Sequence, residues 1–180
     1  MKVKYFDLKN KRVFITGGGS GIGASIVEHF CEQECEVYFV DINIKESKKL
    51  ISNLKKKKIK APHFIECNLL KIKKLENIIK KIIKSKGPID ILINNAANDD
   101  RHSTKQVDEK YWNNRMDVNL KHFFFTIKAV LRGMIQKKGG AIINLSSVSW
   151  MLGEGDKVAY ETAKSAVIGL TRSFAREFGK

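Results

Sequence analysis

The chain is poor in proline, cysteine and acidic residues. Its two prolines, Pro62 and Pro88, exclude a proline-rich linker or a polyproline architecture. Its three cysteines are an odd and sparse set. Cys31 and Cys35 fall on or just after one predicted helix and Cys67 ends a predicted strand, which excludes a disulfide framework. The four histidines, at 29, 63, 102 and 122, are scattered, and no Cys/His group has zinc-site spacing, so no structural metal is expected. No apolar run approaches the ~18 residues of a membrane span. Residues 1–11 carry basic side chains without the apolar stretch of a secretory leader. The expected setting is cytoplasmic, with no membrane partner.

Hydrophobic residues make up 43% of the 180 positions and aromatics 9%, enough to bury a core at the size of one domain. A single domain over residues 1–180 is expected, and global disorder is excluded. The charge is lopsided, with 34 Lys and Arg against 19 Asp and Glu and a net charge of +15. Such an excess attracts nucleic acid or acidic surfaces. Here the lysines cluster at 48–49, 55–58 and 71–86, interleaved with Leu and Ile at helical spacing, and read as the wet faces of two amphipathic helices. No helix-turn-helix, ribonucleoprotein or zinc-finger signature accompanies them, so the pattern favours a solvated surface over a nucleic-acid footprint.

Along the chain, apolar runs alternate with helical periodicity. Val13–Ile15 leads into a glycine cluster and a helix over 24–33. Val37–Val40 stops at Asp41 and is followed by a lysine-rich helix over 45–58. His63–Cys67 precedes a helix marked by Ile72, Leu75, Ile79 and Ile82, which Gly87-Pro88 terminates. Ile89–Ile93 reads as a fourth strand, 106–138 as helical with one break, and Ala141–Leu145 as a fifth strand. A last helix is expected over 158–178. Strands alternating with helices and apolar on both faces predict a doubly wound parallel sheet of Rossmann type in an α/β fold.

The first turn carries Gly17, Gly21 and Gly23, a G-x-x-x-G-x-G spacing opened further by Gly18 and Gly19. Glycines after a parallel strand let a phosphate approach the free N–H groups and positive end of the next helix. Asp41 ends the second strand 20 residues beyond Gly21, where a carboxylate can accept both ribose hydroxyls of adenosine. A 2′-phosphate there meets like charge, and no Arg or Lys lies within residues 17–23 to compensate. NAD is therefore favoured over NADP.

These features resemble the classical short-chain dehydrogenase/reductase family over essentially the whole chain. Thr16–Gly23 (TGGGSGIG) is similar to its cofactor turn, Asn94-Asn95-Ala96-Ala97 to its fourth-strand motif, and Asn119 to its helix-breaking asparagine. Ser147 with Tyr160-x-x-x-Lys164 is similar to its catalytic set. The resemblance implies a catalytic group of Asn119, Ser147, Tyr160 and Lys164. It also implies cofactor contacts from Gly17, Gly19, Ser20, Gly21, Ile22, Gly23, Asp41, Asn68, Leu69, Asn95, Ala96, Tyr160 and Lys164. Tyr160 and Lys164 stand at i and i+4, on one helix face. An ammonium held there favours the phenolate, which gives Tyr160 the role of base. Ser147 would hold the substrate hydroxyl, and Asn119 would anchor a water that relays the proton from Lys164. Homo-oligomers are the implied assembly.

The segment Asn98–His102 follows the fourth strand and places consecutive polar groups beside the expected cofactor, which suits a polyhydroxylated ligand. Ser149 and Trp150 follow Ser147 closely, and an indole face suits the C–H face of a sugar. NNAANDDRH, DVNLKHFFF and SWMLG together resemble the branch of the family that oxidises aldoses of D-xylose type at C1. Asn98, Ser147, Ser149, Trp150 and Tyr160 are the implied substrate contacts, an aldonolactone the implied product, and His102 reads as a loop-orienting residue because Tyr160 fills the role of base. Family members continue past the last helix by about two βα units with a lid and final strands, which this chain is expected to lack. Two other readings stand beside the sugar dehydrogenase: a shortened, inactive relative that at most binds dinucleotide, and a basic nucleic-acid-binding protein.

Overall fold

A computed structural model describes residues 3–179. β1 (Arg12–Thr16), β2 (Glu36–Asp41), β3 (His63–Glu66), β4 (Ile91–Asn94) and β5 (Ala141–Asn144) form one sheet in the order β3-β2-β1-β4-β5. Every pairing is parallel. Between them lie α1 (Gly21–Glu32), α2 (Ile44–Lys56), α3 (Ile72–Lys86), α4 (Glu109–Met116) and α5 (His122–Gln136), with α6 (Ser149–Leu152) and α7 (Val158–Phe178) after β5. The strand order reverses between β1 and β4, so the connections leaving these strands diverge and open a crevice at their carboxyl ends. The expected α/β doubly wound sheet is the one observed.

Each face of the sheet carries its own core. Phe14, Tyr38, Val40 and Leu92 point to one side and pack with Leu75, Ile79, Ile82, Ile127 and Val130. Val13, Ile15, Val37, Phe39 and Ile93 point to the other and pack with Val27, Cys31 and Leu54. This alternation follows from the period of two along a strand, and burying each such side chain contributes roughly 1.5–3 kcal/mol. The strand expected to be covered on both sides is only partly so at one edge: β5 leaves Ile143 49% exposed. The lysines of α2 and α3 face water while Leu54, Leu75, Ile79 and Ile82 face inward, the solvated faces that the helical spacing predicts.

Two corrections arise in the helical half. The break expected within 106–138 is a π turn, Asp117–Lys121, that joins α4 to α5 without interrupting the helix. A short helix, α6, also occupies 149–152, closed by Gly153 in the left-handed region at φ 62°. Strand limits shift by one or two residues, with β4 starting at Ile91 rather than Ile89 and β3 stopping at Glu66.

Candidate active site

The glycine turn is fixed to the strands on both sides of it. The N–H groups of Gly17 and Gly18 donate to the Val40 carbonyl at 2.8 and 3.3 Å. Just past β4, Asn95 Nδ2 donates to the carbonyls of Thr16 and Gly17 at 3.1 and 2.8 Å. Thr16 Oγ1 accepts the N–H groups of Asn95 and Ala96 at 3.1 and 3.2 Å. Gly23 packs against the strand exit so closely that a Cβ would stand 1.8 Å from the Gly17 oxygen. Gly21, by contrast, has φ +52° and open space where its side chain would point.

The end of α1 is left uncapped. Ser20, the N-cap residue, makes no capping hydrogen bond, and the first helical bond runs from Ala24 N–H to the Ser20 carbonyl at 3.1 Å. The N–H groups of Gly21, Ile22 and Gly23 therefore have no acceptor within the helix. Ile22 is 69% exposed beside them. Open space, unspent donors and the positive helix end are the features a diphosphate requires, so these residues fit a dinucleotide.

Asp41 faces this turn with both carboxylate oxygens held: Oδ2 accepts Gly19 N–H and Oδ1 accepts Asn43 N–H, each at 2.8 Å. Asn68 is exposed past β3, its Oδ1 accepting Leu70 N–H at 2.9 Å. Leu69 lies in the core.

Across the crevice, the exit of β5 is docked onto α7. Lys164 Nζ donates to the Leu145 carbonyl and Ser146 Oγ donates to the Lys164 carbonyl, both at 2.7 Å. Lys164 is 2% exposed, with Nζ 5.3 Å from the centre of the Phe123 ring and 5.7 Å from that of Tyr160. Burial pulls its ammonium from 10.5 down to about 8, with the Asp99 carboxylate acting in the opposite direction. Ser147 Oγ lies 2.9 Å from Ser149 Oγ and accepts Ser149 N–H at 3.2 Å. Ser149 is buried. Trp150 is half-buried on α6, next to the exposed Met151.

Asn119 sits fully buried in the π turn, and its amide is spent on one partner. Its Oδ1 accepts Asn98 N–H at 2.7 Å and its Nδ2 donates to the Asn98 carbonyl at 3.0 Å. The side chain thus tethers the loop after β4. Asn98 Oδ1 in turn accepts Asp100 N–H at 2.9 Å.

Several contributors carry no obvious signal in the sequence. His122 is fully buried with Nε2 3.4 Å from Thr16 Oγ1. Burial first, and the Lys164 charge second, lower its imidazole from 6.5 to about 3, so it is neutral near pH 7. A partly buried ladder runs from Thr126 Oγ1 to Asn94 Oδ1, from Asn94 Nδ2 to Asn144 Oδ1, and from Asn144 Nδ2 to Thr171 Oγ1, at 2.7, 2.9 and 3.0 Å. It fixes β4 and β5 to α5 and α7. Its only sequence signal is a polar residue closing each of two apolar strands. Among the described residues, no group of three or more His, Cys, Asp or Glu side chains is placed to hold a metal ion, and no helix is long and apolar enough to cross a membrane.

An open parallel sheet with an uncapped glycine turn at its switch point is a dinucleotide-type architecture. Residues 11–180 match the short chain dehydrogenase family, and the chain belongs to that family of oxidoreductases acting on CH–OH groups. It is 45% identical over 175 residues to a D-xylose 1-dehydrogenase of Caulobacter vibrioides, covering 97% of this chain and 68% of that protein. It is 40% identical to a probable galactose dehydrogenase of Rhizobium meliloti, over 96% of this chain and 68% of the relative. Among solved structures, the ligand-free aldohexose dehydrogenase of Thermoplasma acidophilum superposes with a TM-score of 0.84 at 30% identity. That match covers 97% of this chain and 64% of that one. Family membership implies a nicotinamide dinucleotide as cofactor.

Proposed function

We propose that the protein oxidises a cyclic aldose at C1 to an aldonolactone, with NAD as cofactor. The observation that carries this reading is the buried Lys164 beside Tyr160, hydrogen-bonded to Leu145 two residues ahead of Ser147. The similarity to xylose and galactose dehydrogenases supports a sugar substrate. The N–H groups at Gly21–Gly23 would hold the diphosphate and Asp41 the adenosine ribose, where a 2′-phosphate would meet a carboxylate. When bound, the nicotinamide supplies a hydride acceptor.

The side chains supply the rest. Ser147 holds the anomeric hydroxyl, and Tyr160 takes its proton. Lys164, cationic below about pH 8, places positive charge beside the Tyr160 ring and passes the proton on toward solvent. Loss of that proton and of the C1 hydride turns the anomeric carbon into the carbonyl of a cyclic ester. The loop Asn98–Arg101 and the Trp150 indole line the sugar side. Apolar side chains between α5 and α7, the exposed Phe124 and the half-buried Leu170 and Phe174 among them, border a groove of about 600 Å³ and suit homo-oligomer contacts. Light scattering tests that assembly. The three unpaired cysteines fit a reducing, cytoplasmic setting.

The test is an aldose panel assayed with NAD and with NADP, alongside NADH fluorescence titration. Turnover with NAD, abolished in Tyr160→Phe while NADH still binds, is the expected result. Asp41→Arg should weaken NADH binding at least tenfold and favour NADPH. Equal, absent turnover in wild type and Tyr160→Phe refutes the reading, and saturable NADH binding would then leave only a dinucleotide-binding role.

A further inference from the structure

The helix that carries Tyr160 and Lys164 has no cap of its own. Lys157 occupies the N-cap position of α7 and makes no capping hydrogen bond. An acceptor reaches this helix end from another part of the chain: His102 Nε2 lies 3.5 Å from Ala159 N, the residue immediately before Tyr160. His102 is 7% exposed, and its main-chain N–H donates to the Asp156 carbonyl at 2.6 Å, just ahead of the same helix. Its other ring nitrogen, Nδ1, is 3.0 Å from the Asp100 carbonyl and 2.8 Å from Tyr111 Oη. Both backbone contacts are satisfied by a single neutral tautomer, with the proton on Nδ1 and the lone pair on Nε2.

The surroundings hold the ring in that place. It packs on Tyr111 with centroids 4.8 Å apart. The Arg115 guanidinium lies 4.7 Å over the other partner's ring, that of Tyr111, and 3.3 Å from the Asp100 carboxylate. The loop after β4 is therefore pinned twice, at Asn98 by Asn119 and at His102 by α4 and α7. Between these two pins lies Asp99, whose charge acts on Lys164.

We propose that His102 is a positioning residue that caps α7 from the loop after β4, so that the loop bordering the sugar and the helix bearing Tyr160 are held as one unit. This rests on the sugar-dehydrogenase reading for its kinetic consequence but not for its structural one. Ring-nitrogen roles can be separated by substitution. His102→Gln keeps an acceptor at the reach of Nε2, His102→Asn keeps a donor at the reach of Nδ1, and His102→Leu keeps neither.

Amide hydrogen exchange on the three variants and wild type tests the cap without turnover. His102→Leu should lose at least tenfold protection in residues 98–102 and 158–161 while β1, β2 and β4 remain unchanged, and His102→Gln should restore most of it at 158–161. Kinetically, His102→Leu should lower kcat for the aldose at least tenfold with NADH affinity within twofold of wild type, and His102→Gln should recover most of that loss where His102→Asn does not. Unchanged exchange at 158–161 in His102→Leu overturns the proposal, as does a His102→Gln no better than His102→Leu. Wild type without turnover but with the exchange pattern intact overturns the sugar reading alone.

Discussion

Replacing Lys164 with methionine separates the electrostatic cost of this lysine from its contacts. Its ammonium is lowered from 10.5 to about 8 in the folded chain. At about 1.36 kcal/mol per unit, the shift corresponds to roughly 3 kcal/mol of destabilisation carried by the charged form. Between pH 8 and 10.5 the unfolded chain binds a proton that the folded chain has released, so stability from this group rises with pH across that window. Below pH 8 the full cost is present. Lys164→Met removes the titration and also strands the Leu145 carbonyl, a loss of about 1–3 kcal/mol that does not vary with pH. The diagnostic is therefore the change in the gap between the two proteins. Urea denaturation followed by tryptophan fluorescence at pH 7, 8, 9 and 10 should show wild type gaining about 2–3 kcal/mol on the variant from pH 7 to pH 10. A gap that stays constant over that range would show that Lys164 is not desolvated as described.

Three further substitutions probe the glycine turn, where two have opposite signatures, and the neighbouring histidine. Gly23→Ala forces a Cβ to 1.8 Å from the Gly17 oxygen and should prevent native folding, whereas Gly21→Ala meets no neighbour, costs about 1–2 kcal/mol for its left-handed φ, and should fold yet lose NADH binding. Thermal melts and NADH titration compare them directly. His122, lowered to about 3 by burial and by Lys164, stays neutral in the folded chain while the unfolded chain takes up a proton below pH 6.5. Stability from this group therefore falls as pH drops from 6.5 toward 3, and His122→Gln should show a shallower acid limb in denaturation curves; parallel limbs contradict it.

The order of strands and helices is legible because burial on both sheet faces makes β1, β2 and β4 continuous apolar runs, while α2 and α3 show clean 3.6-residue periodicity. Tyr160 and Lys164 are legible for the same reason, since i and i+4 on one helix is a local relation. Long-range partners are not. The sequence marks Asn119 as special but not that its amide would be committed to Asn98, because that pairing spans 21 residues and depends on how the π turn meets the loop. The sequence places Ser149 near Ser147 but not the hydroxyl contact between them, which depends on the compact α6. Thr16 reads as the first residue of the cofactor turn, and only the adjacency of β1 and β4 turns its hydroxyl into the acceptor for two N–H groups.

The wide turn at Asp117–Lys121 is in effect one surplus residue between two regular helices. Deleting a single residue there would rewind 109–136 into one even helix, with the apolar stripes on either side keeping their phase. The Asn119 amide would instead swing by about 100° around the axis and let go of Asn98. Hydrophobic packing and the hold on the sugar-side loop are thus governed by different residues of the same stretch, and a one-codon change can loosen the second without disturbing the first.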